Sequence, residues 1–237
     1  MKFTIVMTVY KREELFLHAL YTVLQQDYTD WELIILADGP HPSAEAATKL
    51  IKNDQYHAFW ERPNLTERIH YHSCKRAPKG TVGNSLRRRG LKLATGDYVC
   101  FVGHDCLLDK DYLSTHKANI EKADRNCVSV VSALYWTEDS QFIYWLNKKR
   151  EKKLPHGDIP TFVGKIPWSF TGQIDLEKAV SGELDLTCFC FPVIESKQVG
   201  VFSPDMDYAY DADFQSFSKL RAVAPVIFNP KVVAGHF

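Results

Sequence analysis

Trp31-Glu32-Leu33-Ile34-Ile35-Leu36 runs straight into Ala37-Asp38-Gly39-Pro40. Six mainly apolar residues halted by a Gly-Pro turn signal predict a short β-strand. The flanking segments decide what kind of sheet holds it. Upstream, Phe3 to Met7 predicts a first strand. Glu13 to Gln26 then places Leu15, Leu17, Ala19, Leu20, Val23 and Leu24 at helical spacing. Downstream, Ser43 is suited to cap a helix reaching about Asn53, with Glu45 in its first turn. Arg68 to Ser73 predicts a third strand, and Val82 to Leu93 a helix ended by Gly96. Asp97 to Val102 predicts a fourth strand, followed by Gly103-His104-Asp105-Cys106 and a helix from about Asp111 to Lys122. Strand–helix–strand repetition gives an α/β fold with a mostly parallel, Rossmann-like central sheet and helices on both faces. Ligands of such sheets bind beyond the carboxyl ends of the strands. Attention therefore falls on Thr8 and Tyr10, on Asp38, on the stretch from Lys75 to Lys79, and on His104 and Asp105.

The second half is less regular. Cys127 to Leu134 predicts a strand, as does Leu186 to Val193, and Tyr208 to Leu220 a helix with a carboxylate-rich start. The run from Lys148 to Lys153, closing a stretch that begins at Gln141, reads as a solvated helix end. Peripheral contact with an anionic membrane surface is the alternative. Leu154 to Lys165 holds two prolines and two glycines and reads as a loop. No repeat and no long linker divides the chain. We read residues 1–237 as one domain with two halves, 1–110 and 111–237.

Composition narrows the classes. The 237 residues carry 29 Lys plus Arg against 29 Asp plus Glu, which argues against a general nucleic-acid binder. Apolar residues make up 45% and charged residues 24%, the range of a folded globular protein rather than a disordered one. The apolar runs are far shorter than the roughly 20 residues of a membrane span. Met1 to Tyr10 is broken by Thr4 and Thr8, runs into Lys11-Arg12, and lacks a cleavage signal, so it reads as a strand and not a leader. Six cysteines, at 74, 100, 106, 127, 188 and 190, form no C-x-x-C pair. Buried thiols in a reducing, cytoplasmic setting are the expectation. The sequon Asn64-Leu65-Thr66 then has no glycosylation role.

Asp38, Asp105 and Asp211 are candidates for one shared site, although each alone also reads as a turn or capping aspartate. Carboxylates at strand ends can hold a hard divalent cation or a base-ring N–H. No P-loop, no G-x-G-x-x-G after the first strand and no G-x-S-x-G elbow is present.

Three blocks together resemble glycosyltransferase family 2. Thr4-Ile5-Val6-Met7-Thr8-Val9-Tyr10-Lys11-Arg12, Val23-Leu24-Gln25-Gln26-Asp27-Tyr28 and Glu32 to Gly39 are similar to the family's S-I-V-I-P-T-Y-N-R, S-V-L-x-Q-T-Y and E-I-I-I-V-D-D-G-S. Leu86 to Phe101 resembles A-R-N-x-G-x-x-x-A-x-G-E-Y-I-x-F, and Phe202 to Leu220 the region ending in E-D-x-D-L-W-x-R-L. The resemblance implies the GT-A fold and an inverting transfer of sugar from a nucleotide-sugar, UDP-linked by expectation, to a hydroxyl of a glycan or related acceptor. It implies that Thr8 and Tyr10 pack on the base, that Asp38 accepts from a uracil N–H, and that Arg87 reaches the diphosphate. His104 and Asp105 fall on the family's D-x-D. Asp105 would ligate Mn²⁺ or Mg²⁺, with Mn²⁺ favoured because imidazole suits it better, and His236 lies where some GT-A enzymes add a histidine to metal or phosphate. Asp211 matches the Asp of E-D and would be the general base.

Two departures stand out. Gly103 replaces the first Asp of D-x-D, and Tyr210 replaces the Glu of E-D. They motivate the alternative of a non-catalytic GT-A module that binds nucleotide-sugar or glycan. Glu183 and Asp185 are further candidates for the acceptor side, and Trp145, Trp168 and Phe170 for stacking on a sugar.

Overall fold

A computed structural model describes residues 1–53, 65–78, 81, 83–124, 126–135 and 185–236. The expected helix at 141–153 and loop at 154–165 lie outside the described residues, as do Lys79, Trp145, Trp168, Phe170 and Glu183.

The first half follows the expected alternation. Strand β1 (Phe3–Val9) leads to helix α1 (Glu13–Leu24), then β2 (Trp31–Asp38), α2 (Pro42–Ile51), the single turn α3 (Leu65–Arg68) and β3 (Ile69–Cys74). Next come α4 (Asn84–Leu93), β4 (Tyr98–Gly103), the short β5 (Cys106–Leu108) and α5 (Tyr112–Ile120). After β6 (Val128–Tyr135), the 185–236 stretch supplies β7 (Phe189–Pro192), α6 (Val193–Val199), α7 (Ala212–Arg221) and β8 (Val226–His236). The eight strands form one sheet in the order β3-β2-β1-β4-β7-β6-β8-β5. Pairing is parallel across β3, β2, β1 and β4 and between β6 and β8, and antiparallel at β4–β7, β6–β7 and β5–β8.

The sequence explains why β1 sits at the centre of the parallel half. Phe3, Ile5, Val6, Met7 and Val9 are all buried, as they must be in a strand covered on both faces. Helix α4 presses on this strand at one point. A Cβ at Gly90 would stand 2.3 Å from Val6 Cγ1, so only glycine lets the helix come so close. At the opposite end of the strands from the site described below, the buried carboxylate of Glu32 accepts hydrogen bonds from Thr4 Oγ1, the Thr95 backbone N–H, Thr95 Oγ1 and Lys2 Nζ. Burial alone would raise its pKa. The Thr4, Thr95 and Lys2 bonds outweigh that and bring it down to about 2.

Several local expectations are corrected. The N-cap of α2 is His41, whose Nδ1 accepts from the Ala44 N–H at 3.1 Å, while Ser43 donates to Glu13 Oε2. Leu186 to Val193 is not one strand. The Asp185 side chain accepts from the Thr187 N–H and closes a 3₁₀ turn at Leu186–Cys188, leaving only four residues for β7. The helix expected from Tyr208 starts at Ala212. Strands β5 and β8 had no clear sequence signal. Cys188 and Cys190 are buried free thiols as expected, as are the other four cysteines. Among the described residues no helix is long and apolar enough to cross a membrane.

Candidate functional site

The carboxyl ends of β1, β2 and β4 open onto a cleft of about 550 Å³. Thr8 and Tyr10 line it from the end of β1, Asp38 from the end of β2, and Gly103, His104 and Asp105 from the end of β4. Arg76, Ala77 and Pro78 form part of its wall, and Arg87 enters from α4. Asp185, Asp213 and His236 complete the lining from the distant C-terminal stretch.

Each wall has a local cause. Directly after β1, Lys11 and Arg12 take left-handed backbone angles, φ 55° and 48°. Two non-glycine residues in that region mark a strained turn. The turn leaves Tyr10 41% exposed with Arg76 over its ring at 5.5 Å, and sends Arg12 back to Asp105, Nη1 to Oδ2 at 3.3 Å. Asp38 accepts the Ala77 N–H at 2.6 Å, which ties the segment after β3 to the end of β2.

The arginine row on α4 divides its work. Arg87 donates to Asn84 Oδ1 and stands 3.9 Å from Asp213 Oδ1. Arg88 grips both oxygens of Asp207, at 2.6 and 3.2 Å, and the Phe202 carbonyl at 2.9 Å. Asn84 donates to the carbonyls of Met206 and Ala209. These bonds fix the segment leading into α7 against α4 and so bring Asp213 to the cleft beside Arg87. Arg89 points elsewhere, 3.4 Å from Cys74 Sγ.

Asp211, the residue expected to act as general base, does not join the other candidates in the cleft. It occupies the N-cap position of α7, accepts from Gln215 Nε2 at 2.8 Å and is not among the cleft-lining residues. The acidic residue of this region that lines the cleft is Asp213. Burial pushes its carboxyl up to about 6, against the pull of Arg87. A signal for it was present in the sequence. With Asp213 set on the Asp of E-D, Phe217 falls on the Trp and Lys219-Leu220 on R-L of E-D-x-D-L-W-x-R-L. Phe217 and Leu220 are both fully buried, as that register requires.

The final cluster joins Asp105, Cys106, His236 and Asp185. His236 Nδ1 lies 2.9 Å from Asp185 Oδ2, and its Nε2 lies 3.7 Å from Asp105 Oδ1. Burial works against a charged ring here, yet the carboxylates of Asp105 and Asp185 hold the His236 pKa above the ordinary histidine value. Burial would raise the Asp105 pKa, and His236 and His104 keep it lowered instead. Burial also lowers the pKa of His104, favouring a neutral ring. His236 is the penultimate residue and yet is held in β8, paired with Cys106 of β5.

Asp105, Cys106 and His236 bring one ligand atom each within 4.8 Å of the others. Two of them suit a cation such as Mn²⁺. The 3.7 Å between Asp105 Oδ1 and His236 Nε2 is less than twice a metal–ligand bond of about 2.1 Å, so both atoms can reach one ion. Cys106 does not suit it, because burial pushes its thiol up to about 12 and it is engaged with Thr187 Oγ1 at 3.1 Å. Gly103 also becomes intelligible. A Cβ at this position would lie 2.4 Å from Asp105 Oδ1, so the carboxylate fills the space that a side chain at 103 would need.

Residues 4–178 match the model of the family described as glycosyl transferase family 2. The amylovoran biosynthesis glycosyltransferase AmsB of Erwinia amylovora is 27% identical over 122 residues, covering 52% of this chain and 36% of that protein. Among solved structures, S. aureus TarS residues 1–349 in complex with UDP gives a TM-score of 0.67 at 14% identity, covering 99% of this chain and 60% of that one. The mannosyltransferase PcManGT of Pyrobaculum calidifontis, in complex with GDP-Man and Mn²⁺, gives 0.59 at 14% identity, covering 99% and 56%. The chain thus spans about a third of the curated relative and under two thirds of these structures. At such identity the structures speak for the fold alone. The family match covers most of the sequence, the sheet carries the shared architecture, and the chain belongs to glycosyltransferase family 2, with the GT-A fold.

Proposed function

We propose that this chain transfers a sugar from a nucleoside-diphosphate sugar, most simply a UDP-sugar, to a hydroxyl of a glycan or related acceptor, with inversion at the anomeric carbon. One observation carries the reading. Residues from β1, β2, β4, α4, α7 and β8, far apart in sequence, line a single cleft at the carboxyl ends of the parallel strands. The likeness in fold to structures solved with UDP, UDP-GlcNAc and GDP-Man supports a nucleotide-sugar as the ligand class.

The roles follow from the chemistry of each group. Tyr10 offers an exposed ring for a base to stack on, with Thr8 beside it. Asp38 keeps one oxygen on the Ala77 N–H and has acceptor capacity left for a base N–H. Arg76 and Arg87 bring guanidinium groups for phosphate oxygens. His104, held neutral by burial, lines the cleft beside Asp105. Asp105 and His236 would hold Mn²⁺, or less well Mg²⁺, which when bound neutralises the charge that develops on the leaving diphosphate.

Asp213 takes the role that the sequence reading gave to Asp211. A carboxyl poised near neutrality is well matched to removing a proton from an acceptor hydroxyl as its oxygen attacks the anomeric carbon. A single displacement from the face opposite the diphosphate inverts that centre.

The test is a panel of nucleotide-sugars assayed for release of free nucleotide, with and without Mn²⁺. Turnover of one donor that depends on the cation is the expected result. Binding of UDP without turnover of any donor, acceptors included, would replace the enzyme by the non-catalytic module that Gly103 suggests.

A further inference from the structure

Asp185 is buried, 7% exposed, and uses its two oxygens differently. Oδ1 accepts the Thr187 N–H at 2.8 Å and closes the turn before β7. Oδ2 faces His236 Nδ1 at 2.9 Å. An ionised carboxylate can only accept, so the hydrogen in this contact sits on Nδ1. The other ring nitrogen, Nε2, is thereby turned toward Asp105. The alternative tautomer would put the hydrogen on Nε2 and leave two acceptors facing each other at 2.9 Å.

We infer that Asp185 is a positioning residue for the divalent cation: it fixes the ring plane of His236 and keeps a hydrogen on Nδ1, so that Nε2, which gives up its proton when a cation binds, is the nitrogen presented beside Asp105. The inference rests on the reading of Asp105 and His236 as the cation ligands and adds to it a residue that need not touch the ion. Its anchoring is independent of the cleft contents, because Oδ1 is held by the backbone of the adjoining turn. The sequence placed Asp185 on the acceptor side. Its hydrogen bonds tie it to His236 and to the Thr187 turn.

Asp185→Asn is the discriminating change. The amide can keep its oxygen on the Thr187 N–H, but it then offers His236 an N–H donor. That donor requires a lone pair on Nδ1 and so moves the hydrogen to Nε2. The full chain is titrated with Mn²⁺ in the presence of UDP, and free Mn²⁺ is followed by its EPR signal. Wild type is expected to bind. Asp185→Asn is expected to bind about 10- to 100-fold more weakly, the usual loss for an orienting partner. Electron spin-echo modulation of the bound Mn²⁺ should show the imidazole nitrogen in wild type and lose it in Asp185→Asn. That signature reads the folded fraction alone, so reduced stability of the variant does not confuse it. Asp185→Glu, which restores an acceptor, should recover part of both. In a His236→Ala background, Asp185→Asn should weaken Mn²⁺ no further.

Unchanged affinity together with a retained nitrogen signal would overturn the role of Asp185 and leave the cation site standing. A further loss in the His236→Ala background would also overturn it, since Asp185 would then act by another route. Failure of wild type to bind Mn²⁺ with UDP present would bring down the cation reading itself, and this inference with it.

Discussion

Two aspartates two residues apart, Asp211 and Asp213, show how a fold assigns roles that spacing leaves open. Both are acidic, and both stand at the start of α7. Position decides between them: Asp211 spends an oxygen on Gln215 of its own helix, and Asp213 lines the cleft beside Arg87. Asp213→Asn should therefore preserve UDP affinity within a few-fold while lowering transfer by about 10²–10⁴, the ordinary contribution of a general base. Asp211→Asn should lose only the bond to Gln215 and keep most of the transfer rate. Steady-state rates and nucleotide affinity for the two variants check this directly, and the reverse ranking would return the role to Asp211. The same scale explains the missing first Asp of D-x-D. The Asp105 carboxylate already lies over Gly103, so a side chain restored there would displace that carboxylate.

At the scale of elements, the telling contact is α4 against β1. Glycine in an exposed helix interior costs about 1 kcal/mol relative to alanine, so Gly90→Ala would ordinarily stabilise. Here the added methyl would meet both Cγ atoms of Val6, at 2.3 and 2.8 Å, in a packed strand. The expected outcome is destabilisation by about 1–3 kcal/mol from overpacking, read as a lower denaturant midpoint at unchanged slope. Equal or greater stability would mean that the helix can lift off the sheet. This contact also shows what the sequence could reveal. The apolar runs of β1, β2 and β4 and the period of α1 were legible because burial on two faces or on one stripe leaves a pattern along the chain. Strand β5 has only three residues, and β8 runs through Asn229 and Pro230, so neither carries a readable period. The 3₁₀ turn at Leu186–Cys188 looked like a strand because a side-chain acceptor, not hydrophobic pattern, sets it. In the site, motif order singled out Thr8, Tyr10, Asp38, Arg87, His104 and Asp105, and nearness to the C-terminus singled out His236; all seven line one cleft. Asp213 and Asp185 were not assigned their places, because these come from the Arg88–Asp207 clamp and the Asp185–His236 bond, which join segments more than 50 residues apart or on separate elements.

The whole molecule responds to pH and ligand through groups on both sides of the sheet. His116 is fully buried against Ser129, with Nδ1 2.8 Å from its hydroxyl, and burial lowers its pKa to about 3. A histidine that cannot charge in the folded state leaves stability untouched above its unfolded pKa of about 6.5. Below that value the unfolded chain takes a proton that the folded one refuses, and stability falls until the pH reaches the folded value. At pH 5 the cost is about 2 kcal/mol. His116→Gln, which keeps a polar group near Ser129, should flatten the part of the loss between pH 6.5 and 5 that belongs to this residue. Chemical melts of both proteins at pH 7 and pH 5 measure it, and equal pH dependence would remove His116 from the account. Glu32 acts lower on the scale: its contribution is whole above about 4.5 and fades as pH falls toward 2. Ligand binding works in the opposite direction. The cleft gathers cationic Arg76, Arg87 and Arg12 around acidic Asp38, Asp105, Asp185 and Asp213, so a bare diphosphate meets both attraction and repulsion. A divalent cation on Asp105 and His236 would cancel much of the repulsion. UDP at 100 times its dissociation constant should then stabilise the fold by about 2.7 kcal/mol, a rise of roughly 5–10 °C for a chain of this size. Without Mn²⁺ the same UDP concentration should give a much smaller rise, and Asp105→Asn should remove the increment that Mn²⁺ adds. A shift of equal size with and without the cation, unaffected by Asp105→Asn, would show that the arginines alone hold the diphosphate.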